Sequence, residues 1–251
     1  MENKLLSEVE FWDNFWKDLK LPSKINPDFP NDIAIATFLK ENLPDGEGKK
    51  TLLEVGCTPG KWMVYLNDEL HYKVSGVDYS KTGVDTTKNN LELCGVDGTV
   101  ICSDFTKDTS DTKYDAIVSF GFLEHFVESP WILNKMKSML NPGGIIIVGI
   151  PRLTGLNYHI CKFVDATIDY PLLPRHDLTI MSVEVMQHLG NVIEAEVISV
   201  EYVGGFEPAL FDTANCPLWF RVLFFGAGKI ILRIPCDYFQ GYIMAAYRLK
   251  E

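Results

Sequence analysis

Residues 51–60, Thr51-Leu52-Leu53-Glu54-Val55-Gly56-Cys57-Thr58-Pro59-Gly60, carry a short apolar run straight into a turn of small residues. Behind them, KWMVYLNDEL (61–70) sets Trp62, Val64, Tyr65 and Leu66 at helical spacing, so the stretch reads as strand, glycine-bearing turn and helix. The same rhythm continues outward. KVSGVD (73–78) is a second strand, and SKTGVDTTKNNLELCG (80–95) is a polar helix that Ser80 can cap and Gly95 can end. TVICSD (99–104), YDAIVSF (114–120) and GGIIIVGIP (143–151) read as strands three to five. ESPWILNKMKSMLNPGG (128–144) lies before the fifth strand, with Trp131, Leu133, Met136 and Leu140 as its buried stripe and Asn-Pro-Gly-Gly as its stop. Strand and helix in strict alternation predict βαβ units around a parallel sheet.

Residues 1–50 read as two helices, with Pro44, Gly46 and Gly48 as the link to the first strand. Past Pro151 the period is lost. Residues 152–180, rich in Pro, Tyr, His and Asp, read as irregular or short helical structure over the functional edge of the sheet. A helix (181–190), a strand (195–205), a long apolar excursion (206–235) and a last strand (241–249) follow. At 251 residues and 47% hydrophobic composition, one domain is expected. Its parts are an N-terminal helical cover (1–50), a ligand-binding core (51–151) and substrate-side segments with the closing strands (152–251).

A net charge of −11 argues against a phosphate backbone as partner, and ordinary solubility accounts for the acidity. Six cysteines, Cys57, Cys94, Cys102, Cys161, Cys216 and Cys236, form no CxxC pair and fit a reduced interior. The N-terminus (MENKLLSEVEFWDNFWKDL) reads as an amphipathic helix without the apolar core of a signal peptide. The greasiest stretch, 218–234, holds Arg221, Lys229 and Arg233 and is too short and charged to insert stably in a bilayer. A cytoplasmic protein is the expectation. Oligomeric state is not set by the sequence.

The turn at 56–60 stands where small residues let backbone approach a ligand and a helix N-terminus offers unpaired N–H groups; geometry alone is the other reading of its glycines. Asp78 ends strand two, where a carboxylate can accept ribose hydroxyls at the carboxyl edge of an open α/β sheet, or can simply shape a turn. Asp104 ends strand three beside Phe105, suited to a purine edge or to capping the next turn. Three such residues closing three consecutive strands outweigh any one of them.

As a set these motifs resemble the class I S-adenosylmethionine-dependent methyltransferase family, in its small-molecule branch. EVGCTPG, VDYS, SDF and YDAIVSFGFLEHF followed by LNPGGIIIVGIP are similar to that family's successive motifs over about 100 residues. The resemblance implies a Rossmann-like α/β three-layer sandwich with seven strands, mostly parallel and the last antiparallel. It implies S-adenosylmethionine as methyl donor and a small, partly apolar acceptor. Carried over, it places Glu54, Gly56, Cys57 and Gly60 around the methionine part of the cofactor, Asp78 and Tyr79 on ribose and adenine, Asp104 and Phe105 at the adenine edge, and Ser119 and Phe120 near the carboxylate and sulfonium. Thr58 departs from the family, standing where glycine is usual, and puts activity in question.

His125, in Leu-Glu-His, is the candidate general base, although the run is frequent in this branch irrespective of substrate and also fits a scaffold role. Trp12, Trp16, Arg152 and His176 are candidates on the acceptor side, with His176 and Asp177 as rivals to His125 and Arg152 as an anion contact or a solvated cation. Strand four ends in SFGF without an Asn-Pro-Pro-Tyr or Asp-Pro-Pro-Tyr sequence, which disfavours the amino-methylating nucleic-acid and glutamine branches of the family. The sequence shows no His, Cys and carboxylate cluster at metal-ligand spacing, so no metal is expected. Two other readings stand beside methyl transfer. A nicotinamide-dependent Rossmann oxidoreductase shares the layout but wants GxGxxG, which residues 56–60 lack. A non-catalytic member of the fold would bind cofactor or partner alone. Aromatics at Phe11, Trp12, Phe15 and Trp16, and at Trp219, Phe220, Phe224 and Phe225, are expected either to wall an acceptor pocket or to serve as added core.

Overall fold

The structure is a computed structural model that describes residues 5–17, 19–107, 109–231 and 240–250. Residues 1–4 and 232–235 of the expected covers, with Cys236, lie outside the described residues. Two helices, α1 (Val9–Phe15) and α2 (Pro30–Asn42), precede the alternating core. The core comprises β1 (Thr51–Val55), α3 (Lys61–Asp68), β2 (Lys73–Asp78), α4 (Lys81–Cys94), β3 (Thr99–Cys102), β4 (Tyr114–Phe120), α5 (Ser129–Ser138) and β5 (Leu140–Pro151). Then come α6 (Leu156–Asp165), α7 (Val183–Val192), β6 (Glu196–Val203), α8 (Leu218–Ile231) and β7 (Tyr242–Arg248).

The seven strands lie in the order β3-β2-β1-β4-β5-β7-β6, parallel except β7, which runs antiparallel to both neighbours. Strand alternation splits the core in two. Leu52, Ala116, Val118, Ile145 and Ile147 face one apolar cluster, while Leu53, Val55, Ile117, Ile146 and Val148 face the other. Burial on both faces explains why these strands read as continuous apolar runs. The chain reverses its direction of travel across the sheet between β1 and β4, which pair from Leu52↔Ala116 to Val55↔Ser119. At that switch point the loops after β1 and β4 part and leave a crevice at the carboxyl ends of the strands.

Three local expectations are corrected. The N-terminal helix is only seven residues long, because Ser7 and Glu8 are extended or bent and the chain turns off after Phe15. Trp131 is 43% exposed: α5 turns Ile132, Leu133 and Met136 to the sheet, which leaves Trp131 outward beneath the Lys135 ammonium. Leu140 belongs to β5, since α5 stops at Ser138. Cys102 is exposed at the edge strand, whereas Cys57, Cys161 and Cys216 are buried; all five described cysteines are free thiols.

One glycine in β2 is required by packing. A Cβ on Gly76 would lie 2.6 Å from Cys57 Sγ and 2.8 Å from Met63 Sδ, and both of those side chains are fully buried and cannot retreat. Gly76→Ala is therefore expected to cost about 1 to 3 kcal/mol, or roughly 2 to 10 °C in Tm for a chain of this size. Chemical denaturation of parent and variant checks it. An unchanged midpoint would mean that the Cys57 loop yields freely.

Candidate functional site

The turn after β1 is shaped by two left-handed residues, Gly56 (φ +71°) and Gly60 (φ +83°), the latter capping α3. Between them Thr58 replaces the small residue expected there, and its side chain turns to β2. The Thr58 Oγ1 hydroxyl donates to Asp78 Oδ2 at 2.9 Å, and its amide lies 3.4 Å from the same oxygen. The Ser80 amide donates to Asp78 Oδ1 at 2.9 Å. With the Tyr79 amide also directed at it, the carboxylate is held mainly by protein donors from the two loops. Burial raises the Asp78 pKa, opposed by those hydrogen bonds.

Asp104 serves its own turn first: Oδ1 accepts from the Thr106 amide and hydroxyl at 2.9 and 2.6 Å, and Oδ2 pairs with Lys107 at 3.0 Å. Partial burial pushes its pKa up, and these donors more than offset the effect, leaving it below the ordinary value. Tyr79 donates to the Ser7 carbonyl at 3.4 Å, and burial lifts its phenol to about 12.

A cavity of about 780 Å³ fills the crevice. Of the residues singled out in the sequence, Gly56, Thr58, Asp78, Tyr79, Asp104, Phe105, Phe120, Trp12, Trp16, His125 and His176 line it. Glu54, Cys57, Gly60, Ser119 and Arg152 do not. Cys57 is sealed behind the turn against Gly76, and burial drives its thiol pKa well up. Glu54 is buried with Oε2 lacking a hydrogen bond, and burial holds its pKa well above the usual carboxylate range. Ser119 is buried with its hydroxyl unpaired. Gly60 lies at the base of α3, where a Cβ would meet Thr87 at 2.8 Å. Arg152 lies outside the cavity lining, with its guanidinium stacked 4.1 Å over the Tyr202 ring.

The cover over the cavity begins with the N-terminal segment. The Leu6 amide donates to the His125 carbonyl at 2.8 Å, and Asp13 Oδ1 accepts from the Ser80 hydroxyl at 2.5 Å and the Thr82 amide at 3.2 Å. Trp12 stacks on Trp16 and meets His125 edge-on at 5.1 Å, while Phe11 lies under the Arg175 guanidinium at 4.8 Å. None of α1 is fully buried, and its aromatics border a cavity instead of filling core. The late aromatics divide differently. Phe224 packs with Phe206 and Phe211 in a small third cluster, Phe220 packs against that cluster, and Trp219 and Phe225 face outward.

A constellation that the sequence did not suggest lies on the same wall. Glu124, His125 and His176 bring their donor atoms within 4.8 Å of one another. His176 is 51 positions beyond His125 in the chain and reaches it only because 152–180 folds over the sheet edge. The visible hint was a Leu-Glu-His run followed by a histidine in the expected cover. Burial lifts the Glu124 carboxyl to about 8. Burial also lowers both imidazoles, His125 to about 3.

Residues 32–173 match the family model described as "Methyltransferase domain". The S. pombe protein "tRNA N(3)-methylcytidine methyltransferase trm140" is 26% identical over 152 residues, 55% of this chain and 47% of that protein. The Eschscholzia californica "(S)-tetrahydroprotoberberine N-methyltransferase" is 28% identical over 115 residues, 43% of this chain and 31% of that one. The matched stretch spans less than half the length of these curated relatives. Among solved structures, the N-methyltransferase NodS from Bradyrhizobium japonicum WM9 in complex with S-adenosyl-L-homocysteine superposes with a TM-score of 0.60 at 12% identity, covering 98% of this chain and 100% of that one. The charge-based exclusion of nucleic-acid partners is overturned by the tRNA methyltransferase among these relatives. No helix among the described residues is long and apolar enough to cross a membrane. The match over more than half of the chain and a seven-stranded sheet with one antiparallel strand agree: this chain belongs to the class I S-adenosylmethionine-dependent methyltransferase family.

Proposed function

We propose that this chain binds S-adenosylmethionine at the ends of β1, β2 and β3 and transfers its methyl group to a small, partly apolar acceptor held under the N-terminal cover. The observation that carries the reading is the convergence of Gly56, Asp78 with Tyr79, and Asp104 with Phe105 on one cavity wall. The cofactor supplies a sulfonium-bound methyl, which an acceptor lone pair takes as the C–S pair returns to sulfur. The residues fit that guest. Gly56 gives the turn its left-handed backbone on the cavity wall, Asp78 presents a buried carboxylate there for a ribose hydroxyl, and Phe105 with Tyr79 offers apolar surface for an adenine. Thr58 does not obstruct this arrangement, because its hydroxyl is spent on Asp78. Glu54, Cys57, Gly60 and Ser119 act from behind the wall by shaping the turn and the β4 end.

On the acceptor side, Phe11, Trp12, Trp16 and Tyr170 make the rim apolar and shield the reacting centre from water. Holding two reactants in line can supply on the order of 7 to 11 kcal/mol, so no dedicated base is required. His125 is suited to positioning more than to proton capture, because burial lowers its basicity and the Arg175 carbonyl at 2.8 Å from Nδ1 fixes the ring.

Calorimetry with S-adenosylmethionine, S-adenosylhomocysteine and NAD tests the cofactor. Binding of both sulfur nucleosides, with NAD far weaker, is the expected result, and NAD binding alone would replace methyl transfer with hydride transfer. Incubation with methyl-labelled cofactor and a cell extract, separated into small-molecule, protein and RNA fractions, tests the acceptor. Label should enter the small-molecule fraction; label confined to RNA would move the acceptor to tRNA or another nucleic acid.

The Asp78 contact has its own signature. Asp78→Ala should weaken S-adenosylhomocysteine binding by about 1.5 to 3 kcal/mol, roughly ten- to a hundred-fold in Kd. Only the ionised carboxylate accepts a hydroxyl on either oxygen, and burial raises its pKa, so binding should weaken as pH falls, from a higher pH than an ordinary aspartate would give. Binding isotherms from pH 8 down to 5 read this directly. Asp78→Asn should flatten the profile, and an equally steep profile in the variant would assign the dependence to another group.

A further inference from the structure

We propose that Glu124, His125 and His176 form a binding site for one divalent first-row transition-metal ion on the wall of the cavity. Ion binding stands on these residues alone; its service to an acceptor rests on the methyl-transfer reading above.

Glu124 is 1% exposed, lines the cavity, and neither carboxylate oxygen has a hydrogen-bond partner. A buried carboxylate in that condition wants a proton or a cation, since nothing else repays its lost hydration. The two imidazoles beside it are oriented by backbone. His125 Nδ1 lies 2.8 Å from the Arg175 carbonyl, and His176 Nδ1 lies 2.8 Å from the Leu172 carbonyl. A carbonyl oxygen can only accept, so each Nδ1 carries the hydrogen in the neutral ring; His176 Nε2 keeps its lone pair, and the Gly121 carbonyl is a second backbone acceptor beside the His125 ring. A backbone carbonyl that fixes the tautomer in this way is the usual outer support of a metal-binding histidine.

The spacing agrees with that reading. His125 Nε2 and Glu124 Oε1 are 3.9 Å apart, too far for a hydrogen bond, and all three donors fall within 4.8 Å. Ligand atoms that each stand about 2.0 to 2.2 Å from one ion lie roughly 3 to 4 Å from each other, so small side-chain rotations close the set. The imidazole rings are already adjacent, with centroids 4.6 Å apart and planes tilted by 59°. Two imidazoles with one carboxylate suit Mn, Fe, Co or Zn better than Mg or Ca, which prefer oxygen donors. Three protein ligands leave coordination positions open, and the cavity is where an acceptor oxygen or nitrogen would meet them.

The test uses the full chain, stripped with chelator and titrated with Mn²⁺ followed by the electron paramagnetic resonance of the free ion, and with Co²⁺ followed by visible absorption. One ion per chain is expected, with affinity reduced at least ten-fold in Glu124→Gln and in His176→Ala. S-adenosylhomocysteine binding and melting in metal-free buffer report whether each variant is folded. Because His176 is only half-buried, its alanine variant carries the test where Glu124→Gln does not fold. A parent that binds the sulfur nucleoside but takes up neither ion at about 1 mM overturns the metal site and leaves the methyl-transfer reading intact. Variants that bind the ions as tightly as the parent also overturn it. Ion binding that is lost in the variants, in a parent that binds no sulfur nucleoside, upholds the site and sinks the other reading.

Discussion

The Asp78 carboxylate, almost sealed at the end of β2, takes hydrogen bonds from two different loops and so sets the shape of the site. Through Thr58 it pins the turn after β1. Through the Ser80 amide it fixes the start of α4, whose N-cap is the Ser80 hydroxyl accepting from the Gly83 amide at 2.9 Å. That hydroxyl in turn donates to Asp13, and the Ser80 bond holds the Asp13 pKa below the ordinary value. One buried acid is thereby linked through Ser80 to the segment that covers the cavity. A carboxylate so placed costs free energy to bury unless its partners are retained, which gives Thr58 a structural duty that a glycine could not perform.

The same economy explains the cover. A surface helix of seven residues with Phe11, Trp12 and Phe15, and Trp16 as its C-cap, would be poor as added core, and none of the four is buried there. It is held by edge contacts instead: a bridge between Leu5 and Phe126, the Leu6 amide on the His125 carbonyl, and Trp12 Nε1 on the Ser7 hydroxyl at 3.0 Å. Segments held by a few polar bonds and one layer of rings lie at the low end of local stability, as a cover that admits a guest must.

The part of the site built from local sequence was legible, and the part built from distant chain was not. Strand, turn and helix recur between Thr51 and Pro151 at short range, so periodicity and turn residues located Gly56, Asp78 and Asp104 together. Which way each side chain faces depends on register and on what packs behind it. Cys57 and Glu54 therefore read as ligand contacts although Gly76 and the buried face of β1 draw them away from the cavity. Glu124, His125 and His176 meet only through the path of 152–180, whose composition has no period to read. Trp131 failed for a related reason: helical spacing locates a stripe to within a residue, and one position rotates a side chain by about 100°.

The acidity of the chain acquires a local meaning once the cavity is drawn. Asp32, Asp78, Asp104, Glu124, Asp169, Glu207 and Asp212 line it, against Lys61 and Arg175, with both histidines there neutral. Lys61 is bound to Asp32 at 2.7 Å and Lys107, beside the cavity, to Asp104 at 3.0 Å, while Arg175 lies over aromatic rings. Even with Glu124 protonated, acids outnumber bases on these walls. Low-dielectric walls focus such a field on whatever enters. The field favours a guest that carries positive charge, which a sulfonium donor does and its thioether product does not. On the methyl-transfer reading, walls of this sign would favour the sulfonium donor over its thioether product and a cationic acceptor over an anionic one.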